Sequence, residues 1–195
     1  MQLAVLVSGE GTNLQAIIDA IENRSLNNVS ILKVVSSNPS VRALRRAESH
    51  GIKTMVISKD KMIEQLTPVF MNVDLVVLAG FLWILPAGLI GIRPILNVHP
   101  SLLPLFGGKG MYGERVTAQV LNSGMKVTGV TVHLVTEDVD AGPIVLQRCI
   151  KVDGDETPSS LLEKMHPIEH ELLVKAIKLF SEKKYKIVGK RVLFL

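Results

Sequence analysis

An amide and an imidazole follow an apolar run near the middle of the chain. Asn97 and His99 come directly after Ile95 and Leu96, with Val98 between them, so on an extended strand both polar side chains point to one face. An Asn amide can donate two hydrogen bonds to a developing oxyanion, and a His can carry a proton near neutral pH. The pair suits acyl or formyl transfer through a tetrahedral intermediate. The alternative is a polar strand end, with Asn97 capping the backbone and His99 half buried.

A turn with two glycines follows the first predicted strand. It reads Ser8-Gly9-Glu10-Gly11-Thr12-Asn13 and leads into a predicted helix. Glycine lets a ligand approach the backbone closely, and a helix N-terminus offers free N–H groups to an anion. Because position 14 is Leu and no Lys-Ser/Thr pair follows, a dinucleotide or nucleoside triphosphate is disfavoured, and we predict a phosphate monoester. The alternative is a tight turn in which Thr12 or Asn13 caps the helix.

Three carboxylates lie in a turn between two late strands. Glu137, Asp138 and Asp140 precede Gly142, and such a cluster is usually a solvated loop. A carboxylate that reaches an imidazole would raise the His pKa and orient its ring. His133, on the preceding strand, is a second candidate histidine, and a structural role is the alternative for it.

Two further segments have the composition of ligand-binding loops. The apolar stretch 78–86 leaves the fourth predicted strand, where ligands of open α/β sheets bind, and it suits a flat heteroaromatic ring. Core packing is the alternative for most of its side chains. The glycine-dense segment 107–113 is predicted to be mobile or to approach a ligand closely.

We predict no metal site and no disulfide. The one close pair of histidines, His166 and His170, lacks the Glu position of a zincin motif, and Pro167 interrupts the segment. The single cysteine, Cys149, is predicted to be a small core residue, which fits a reducing cytoplasm.

The elements that position these residues alternate between strand-like and helix-like patterns. Predicted strands cover 3–7, 29–35, 52–57, 74–79, 95–99, 127–135 and 144–152, predicted helices cover 13–21, 41–49, 59–70 and two segments from 158 that Pro167 separates, and a hairpin is predicted at 186–194. This order predicts an α/β fold. It has a Rossmann-like, mostly parallel sheet with helices on both faces, and antiparallel strands are added in the C-terminal half. One domain over 1–195 is the economical interpretation.

Composition limits the partners of the chain. The longest apolar run, 75–85, is too short to cross a bilayer, which needs about 20 residues. The first residues have no basic leader, so we expect a first strand there and not a signal peptide. The net charge is +4 and aromatic residues make up 4%, with no run of more than two basic residues. A solvated helix face near the C-terminus or a small anionic substrate explains the charge, and we predict neither a nucleic acid nor a membrane as partner.

Four motifs in order resemble the folate-dependent glycinamide ribonucleotide formyltransferases of purine biosynthesis. They are Val5 to Gln15, Leu78 to Phe81, Asn97 to Pro104, and Gly129 to His133 with Val139 to Pro143. The Asn97-x-His99-Pro100-Ser101 motif is also similar to that of methionyl-tRNA formyltransferases and formyltetrahydrofolate deformylases. Those enzymes carry further domains, for which we expect no room in 195 residues.

The resemblance implies a role for each matching residue. It implies a catalytic trio of Asn97, His99 and Asp140, in which Asp140 raises the pKa of His99. It implies phosphate binding by Gly11, Thr12 and Asn13, and a glycinamide contact by Glu169. The implied pterin pocket consists of Leu82, Trp83, Ile84, Leu85, Asn97, Thr136, Glu137, Asp138, Val139 and Asp140. The chain departs from the family at Trp83, where an Arg is usual, and at Thr117, where many members have His.

The resemblance also implies the co-substrate and the setting. 10-Formyltetrahydrofolate is the expected formyl donor, phosphoribosylglycinamide the acceptor, and no metal takes part. The expected protein is a cytoplasmic monomer or homodimer. A hydrolase of the same superfamily and a non-enzymatic phosphate-binding or nucleotide-binding module are the alternatives.

Overall fold

A computed structural model describes all 195 residues. The strands are β1 (Gln2–Val7), β2 (Ser30–Ser36), β3 (Thr54–Val56), β4 (Leu75–Leu78), β5 (Ile95–His99), β6 (Val127–Leu134), β7 (Ile144–Lys151), β8 (Tyr185–Val188) and β9 (Arg191–Phe194). The helices are α1 (Thr12–Glu22), α2 (Arg42–Ser49), α3 (Met62–Met71), α4 (Glu114–Asn122) and α5 (Pro158–Glu182), with short 3-10 turns at Lys59–Lys61 and Ala87–Leu89. Contacts group the chain into two compact units, Met1–Asn97 and Val98–Leu195. The prediction of a single domain stays a prediction.

The first unit is built on parallel strands in the order β3-β2-β1-β4-β5. All four residues of β4 are buried, as expected for a strand covered on both faces. Parallel strands end at one edge of their sheet. Leu78, the last residue of β4, pairs with Asn97 of β5, and Val7 at the end of β1 pairs with Ser36 of β2. This edge therefore carries the turn after β1, the apolar loop after β4 and Asn97.

The second unit is built on antiparallel pairs. Strand β6 pairs with β7 and β8 pairs with β9, while β9 runs parallel to β7. Helix α5 packs against β6, β7 and α4, and it buries Leu161, Met165 and Leu173. Thr117 of α4 is buried and donates a hydrogen bond to the carbonyl of Pro158 (2.7 Å), which joins α4 to the first turn of α5.

The predicted fold class is confirmed: the structure is an α/β fold with mostly parallel strands and antiparallel strands in its C-terminal half. Strand β5 occupies the predicted residues, Ile95–His99. Pro158 lies at the first position of α5, and Thr157 caps this helix through a reciprocal pair of hydrogen bonds with Ser160, as the Thr-Pro pair indicates.

Two expectations are wrong, and one helix is missing from the prediction. Pro167 does not divide the last helical region, because α5 is one continuous helix of 25 residues. Cys149 is exposed, as are Gln147 and Lys151 at alternate positions of β7. Helix α4, which follows the glycine-dense segment, was not predicted at all. No helix of the structure has the length and apolar character needed to cross a membrane.

Candidate active site

His99 ends strand β5 and is buried, with 3% of its surface exposed. Its Nε2 lies 2.9 Å from the carbonyl oxygen of Phe106. Because a carbonyl oxygen only accepts, Nε2 carries the hydrogen and the ring orientation is set. Phe106 adopts a left-handed backbone conformation (φ 54°), which non-glycine residues seldom do, so the turn presenting this carbonyl is a specialised one.

The carboxylate of Asp140 lies between two buried histidines. Its Oδ2 is 3.6 Å from Nδ1 of His99, and its Oδ1 is 3.6 Å from Nε2 of His133. The backbone N–H of Gly108 donates to Oδ2 (2.9 Å), and Nδ1 of His133 donates to the carbonyl of Leu134 (3.0 Å). Each imidazole therefore uses one nitrogen on a backbone carbonyl and turns the other toward Asp140.

Burial decides the direction in which the pKa of His99 moves. Desolvation lowers this pKa below 6.5, and it outweighs both the Asp140 carboxylate and the Phe106 carbonyl, which raise it, while His133 lowers it further. The Asp140 carboxylate acts in the expected direction and raises the pKa of His99, but burial lowers this pKa by more. His99 is mainly neutral at neutral pH.

The pKa of Asp140 also lies below its ordinary value. Burial alone would raise it, but the interaction with His133, the nearby His99 and the Gly108 N–H together lower it. Asp140 is therefore a carboxylate at neutral pH, in a largely buried place between two imidazoles, and it accepts a hydrogen bond from the Gly108 N–H. Its backbone is left-handed (φ 55°), a conformation that Asp tolerates better than most residues.

A hydrogen-bonded clamp, buried at Thr131 and partly exposed at Gln147, fixes the loop that follows His99. The hydroxyl of Thr131 donates to the carbonyl of Ser101 (2.7 Å) and accepts from the N–H of Leu103 (3.0 Å). The side-chain amide of Gln147 donates to this hydroxyl and to the carbonyl of Leu103, both at 2.9 Å. The loop thus held leads to Phe106, whose carbonyl orients His99.

The start of the glycine-dense segment is a close backbone approach. A Cβ at Gly107 would lie 2.7 Å from Cδ2 of Leu103 and 3.1 Å from Cβ of Asp140. Gly108, at φ 104°, presents its N–H to Asp140. Glycine at these two positions lets the loop reach the carboxylate.

The predicted phosphate turn precedes α1 in the first unit. Gly11 is the N-cap residue, with φ 76° and no side-chain hydrogen bond at the cap, so the alternative of a Thr12 or Asn13 cap is wrong. A Cβ at Gly11 would lie 2.6 Å from Cβ of Ala43, because α2 packs directly on the turn. Gly11, Thr12 and Asn13 thus open the helix, at the end whose backbone N–H groups and dipole favour an anion.

The predicted pterin loop follows β4 in the same unit. The hydroxyl of Ser8 accepts a hydrogen bond from the N–H of Leu82 (3.0 Å), which anchors the loop to the end of β1. Leu82 and Ile84 are 54% and 51% exposed, whereas Leu85 is buried. Trp83 packs edge-on against Phe81, with 5.9 Å between ring centroids. Exposed apolar side chains at the carboxyl edge of a parallel sheet suit a flat ring.

The remaining predicted residues of the second unit fall into two groups. Thr136, Glu137, Asp138 and Val139 form the turn before Asp140, and Glu137, Asp138 and Val139 are exposed. Glu169 is 7% exposed and lies on α5. A carboxyl group this buried is uncommon on a helix and makes Glu169 a stronger candidate than its sequence position alone did.

The structure brings together His99, Asp140 and the second candidate histidine, His133. It adds two backbone groups, the Phe106 carbonyl and the Gly108 N–H. The position of His133 on an apolar strand next to the acidic turn was the available signal for that residue. The two backbone groups have no side-chain signature in a sequence. No group of three or more His, Cys, Asp or Glu side chains is placed to hold a metal ion.

Comparison with known proteins gives the class. The chain belongs to the formyl transferase family, whose model matches residues 1–177. Membership in this enzyme family implies a folate-derived formyl donor.

Individual relatives are more specific. The chain is 37% identical to the phosphoribosylglycinamide formyltransferase of Dictyostelium discoideum, over 93% of this chain and 98% of that protein. It is 40% identical to the trifunctional purine biosynthetic protein adenosine-3 of Bos taurus, over 92% of this chain but only 18% of that protein. The chain is also similar to the crystal structure of glycinamide ribonucleotide transformylase 1 from Symbiobacterium toebii, with a TM-score of 0.90 and 35% sequence identity. The match covers 100% of this chain and 94% of that chain.

Proposed function

We propose that the chain transfers the formyl group of 10-formyltetrahydrofolate to the amine of phosphoribosylglycinamide, a step of purine biosynthesis, in the cytoplasm. The observation that carries the chemistry is the buried contact between His99 and Asp140, with Asn97 two residues earlier on the same strand. Both ligands are small molecules, and we propose that no metal takes part.

Asn97 is the proposed oxyanion donor. Its position on β5, alternate to His99, directs the two side chains to one face of the strand. A side-chain amide donates without changing its protonation state, so it stabilises the negative charge that develops on the formyl oxygen at any pH near neutral.

His99 is the proposed proton carrier, and Asp140 stabilises its charged form. The attacking amine must lose a proton, and neutral His99 can accept it at Nδ1, the nitrogen that faces Asp140. The carboxylate then stabilises the resulting imidazolium, which Phe106 also holds through Nε2–H. The same proton is afterwards delivered to the leaving nitrogen of the donor, so the histidine returns to its neutral form.

The substrates are assigned to separate residues. We propose that Gly11, Thr12 and Asn13 bind the phosphate of the acceptor at the N-terminus of α1 and that the Glu169 carboxylate binds its glycinamide end. The folate supplies the formyl group when it is bound. We propose that its pterin ring is held by Leu82, Trp83, Ile84, Leu85, Asn97 and the residues from Thr136 to Asp140. The anchored loop after β4, with its exposed apolar side chains, supports this assignment.

A spectrophotometric assay tests the proposal. Purified protein is given the stable dideaza analogue of 10-formyltetrahydrofolate, with and without phosphoribosylglycinamide, and loss of the formyl group is followed. We expect deformylation only with the ribonucleotide, and deformylation about 10²–10³ slower with the His99→Ala variant. Formate release without the ribonucleotide would identify a hydrolase, and no reaction in either mixture would overturn the proposal.

A further inference from the structure

A cavity of about 660 Å³ lies beside the phosphate turn, between α1 and α2. Its lining includes Gly9, Glu10, Gln15, Arg42, Arg45 and Arg46. None of Gly11, Thr12 and Asn13 lines it, so it is separate from the proposed phosphate site although both adjoin the same turn. Its volume is within the usual range for small-molecule sites, about 300–1,000 Å³.

The lining of this cavity is strongly positive. Arg42, Arg45 and Arg46 lie on one short helix at spacings of three and four, which place side chains on the same face. Glu10 is the one carboxylate of the lining, and it lies 3.5 Å from the Arg42 guanidinium. Three guanidinium groups against one carboxylate leave a net charge of about +2, which suits an anion with more than one negative charge.

One of the three arginines is already held in place. The Nε of Arg46 donates to the carbonyl of Glu10 (2.9 Å), and its Nη1 donates to the side chain of Gln15 (3.1 Å). Arg46 therefore bridges the cavity, the turn and α1. An anion that draws this guanidinium toward the cavity must alter the hydrogen bond to Glu10, and Glu10 directly precedes the Gly11 cap.

We propose that this α1–α2 cavity is a second anion site, that it takes a diphosphate group, and that it regulates the phosphate turn. The diphosphate can be inorganic pyrophosphate or the diphosphate of a nucleotide. The regulatory half rests on the proposed function of the turn. A bound diphosphate places negative charge beside the substrate phosphate, and it competes with the Glu10 carbonyl for Arg46. It therefore weakens substrate binding and leaves the chemical step unchanged.

Binding is tested first without any reaction. Isothermal titration calorimetry with inorganic pyrophosphate, and separately with adenosine diphosphate, is run at constant ionic strength on the wild type and on the Arg42→Ala/Arg45→Ala variant. We expect saturable binding to the wild type that is at least about tenfold weaker in the double variant. Lys59→Ala, an exposed charge change in the same unit, is the matched control and should bind like the wild type.

The outcomes separate the sources and the sites. Tighter binding of adenosine diphosphate than of pyrophosphate supports a nucleotide, and equal binding supports the diphosphate group alone. Equal binding to the wild type and the double variant would place the anion at the phosphate turn and overturn the proposal, as would the absence of saturable binding.

Regulation is tested by kinetics at the same ionic strength. Pyrophosphate should raise the KM for the ribonucleotide by about fivefold or more with unchanged kcat, and this effect should disappear in Arg42→Ala/Arg45→Ala. An effect that persists in the double variant would contradict regulation through this cavity. Calorimetry needs no turnover, so failure of the formyl-transfer assay would not be confused with failure of the anion site.

Discussion

Oδ2 of Asp140 lies 3.6 Å from Nδ1 of His99, and only a small fraction of either side chain is exposed. Charging His99 in this buried place is costly by itself, and the carboxylate reduces the cost. The pair thus holds a proton during the reaction more easily than an isolated buried histidine would, while His99 stays neutral at rest.

Removing either polar side chain of β5 should affect turnover more than binding. We expect Asn97→Ala and His99→Ala each to lower kcat by about 10²–10³, because each removes stabilisation that is needed mainly in the transition state. Steady-state kinetics with both substrates measures this. Asn72→Ala, an exposed Asn outside the site, is the control. A large increase in KM with unchanged kcat would contradict the catalytic role.

The pH profile should report His99, and Asp140→Asn should shift it. The neutral form is the proposed base, so kcat/KM should fall as pH decreases through the pKa of His99, which burial places below 6.5. The Asp140 carboxylate raises that pKa. Its removal therefore lowers the pKa further and moves the acid limb to lower pH, while the maximal rate falls. Asn suits the left-handed backbone at this position, so the fold should be kept. An acid limb that stays in place, or moves to higher pH, would contradict the assignment.

The fold was accessible from the sequence because its signals are local. Continuous apolar runs mark β4 as buried on both faces, and alternation of such runs with helical periodicity predicts the parallel strands. Pro158 and Thr157 mark the start of α5 by cap chemistry alone. The predicted break at Pro167 is wrong because packing of an amphipathic helix outweighs the loss of one backbone hydrogen bond. The predicted burial of Cys149 is wrong because its place in the alternating pattern of β7, and not its residue type, decides its exposure.

The sequence predicts the side chains of the candidate site but not the backbone groups that hold them. His99 and Asp140 are candidates by type, but their contact depends on a turn in which Phe106 and Asp140 have left-handed backbones. Side-chain patterns do not encode the carbonyl of Phe106 or the N–H of Gly108. The sign of the His99 pKa shift was also out of reach, because it depends on how deeply the ring is buried.

The phosphate turn should tolerate a side chain at Gly9 and not at Gly11. Gly11→Ala puts a methyl group 2.6 Å from Cβ of Ala43 and forces Ala into a left-handed conformation, which costs about 1–2 kcal/mol before any clash. We expect a lower melting temperature and a higher KM for the ribonucleotide. Gly9→Ala is the matched control, because a Cβ there has nothing within 4 Å and its φ is ordinary. Equal effects of the two changes would show that the close approach to α2 does not shape the turn.

The Thr131–Gln147 clamp should control the orientation of His99 from a distance. Thr131→Val removes a buried hydroxyl that serves Ser101, Leu103 and Gln147, so we expect a loss of about 1–3 kcal/mol in the free energy of unfolding and a fall in kcat. Thr131→Ser keeps the hydroxyl and should restore most of kcat, which a purely volume-dependent role would not do. Gln147→Ala leaves the Thr131 bonds to the loop and should have the smaller effect.

Chemical denaturation and the pH dependence of kcat/KM distinguish positioning from mere support of the fold. The Phe106 carbonyl raises the pKa of His99 through its hydrogen bond. A displaced loop withdraws this carbonyl and lowers the pKa, so Thr131→Val should move the acid limb to lower pH. A loss of stability with an unchanged profile and unchanged kcat would assign the clamp to the fold alone.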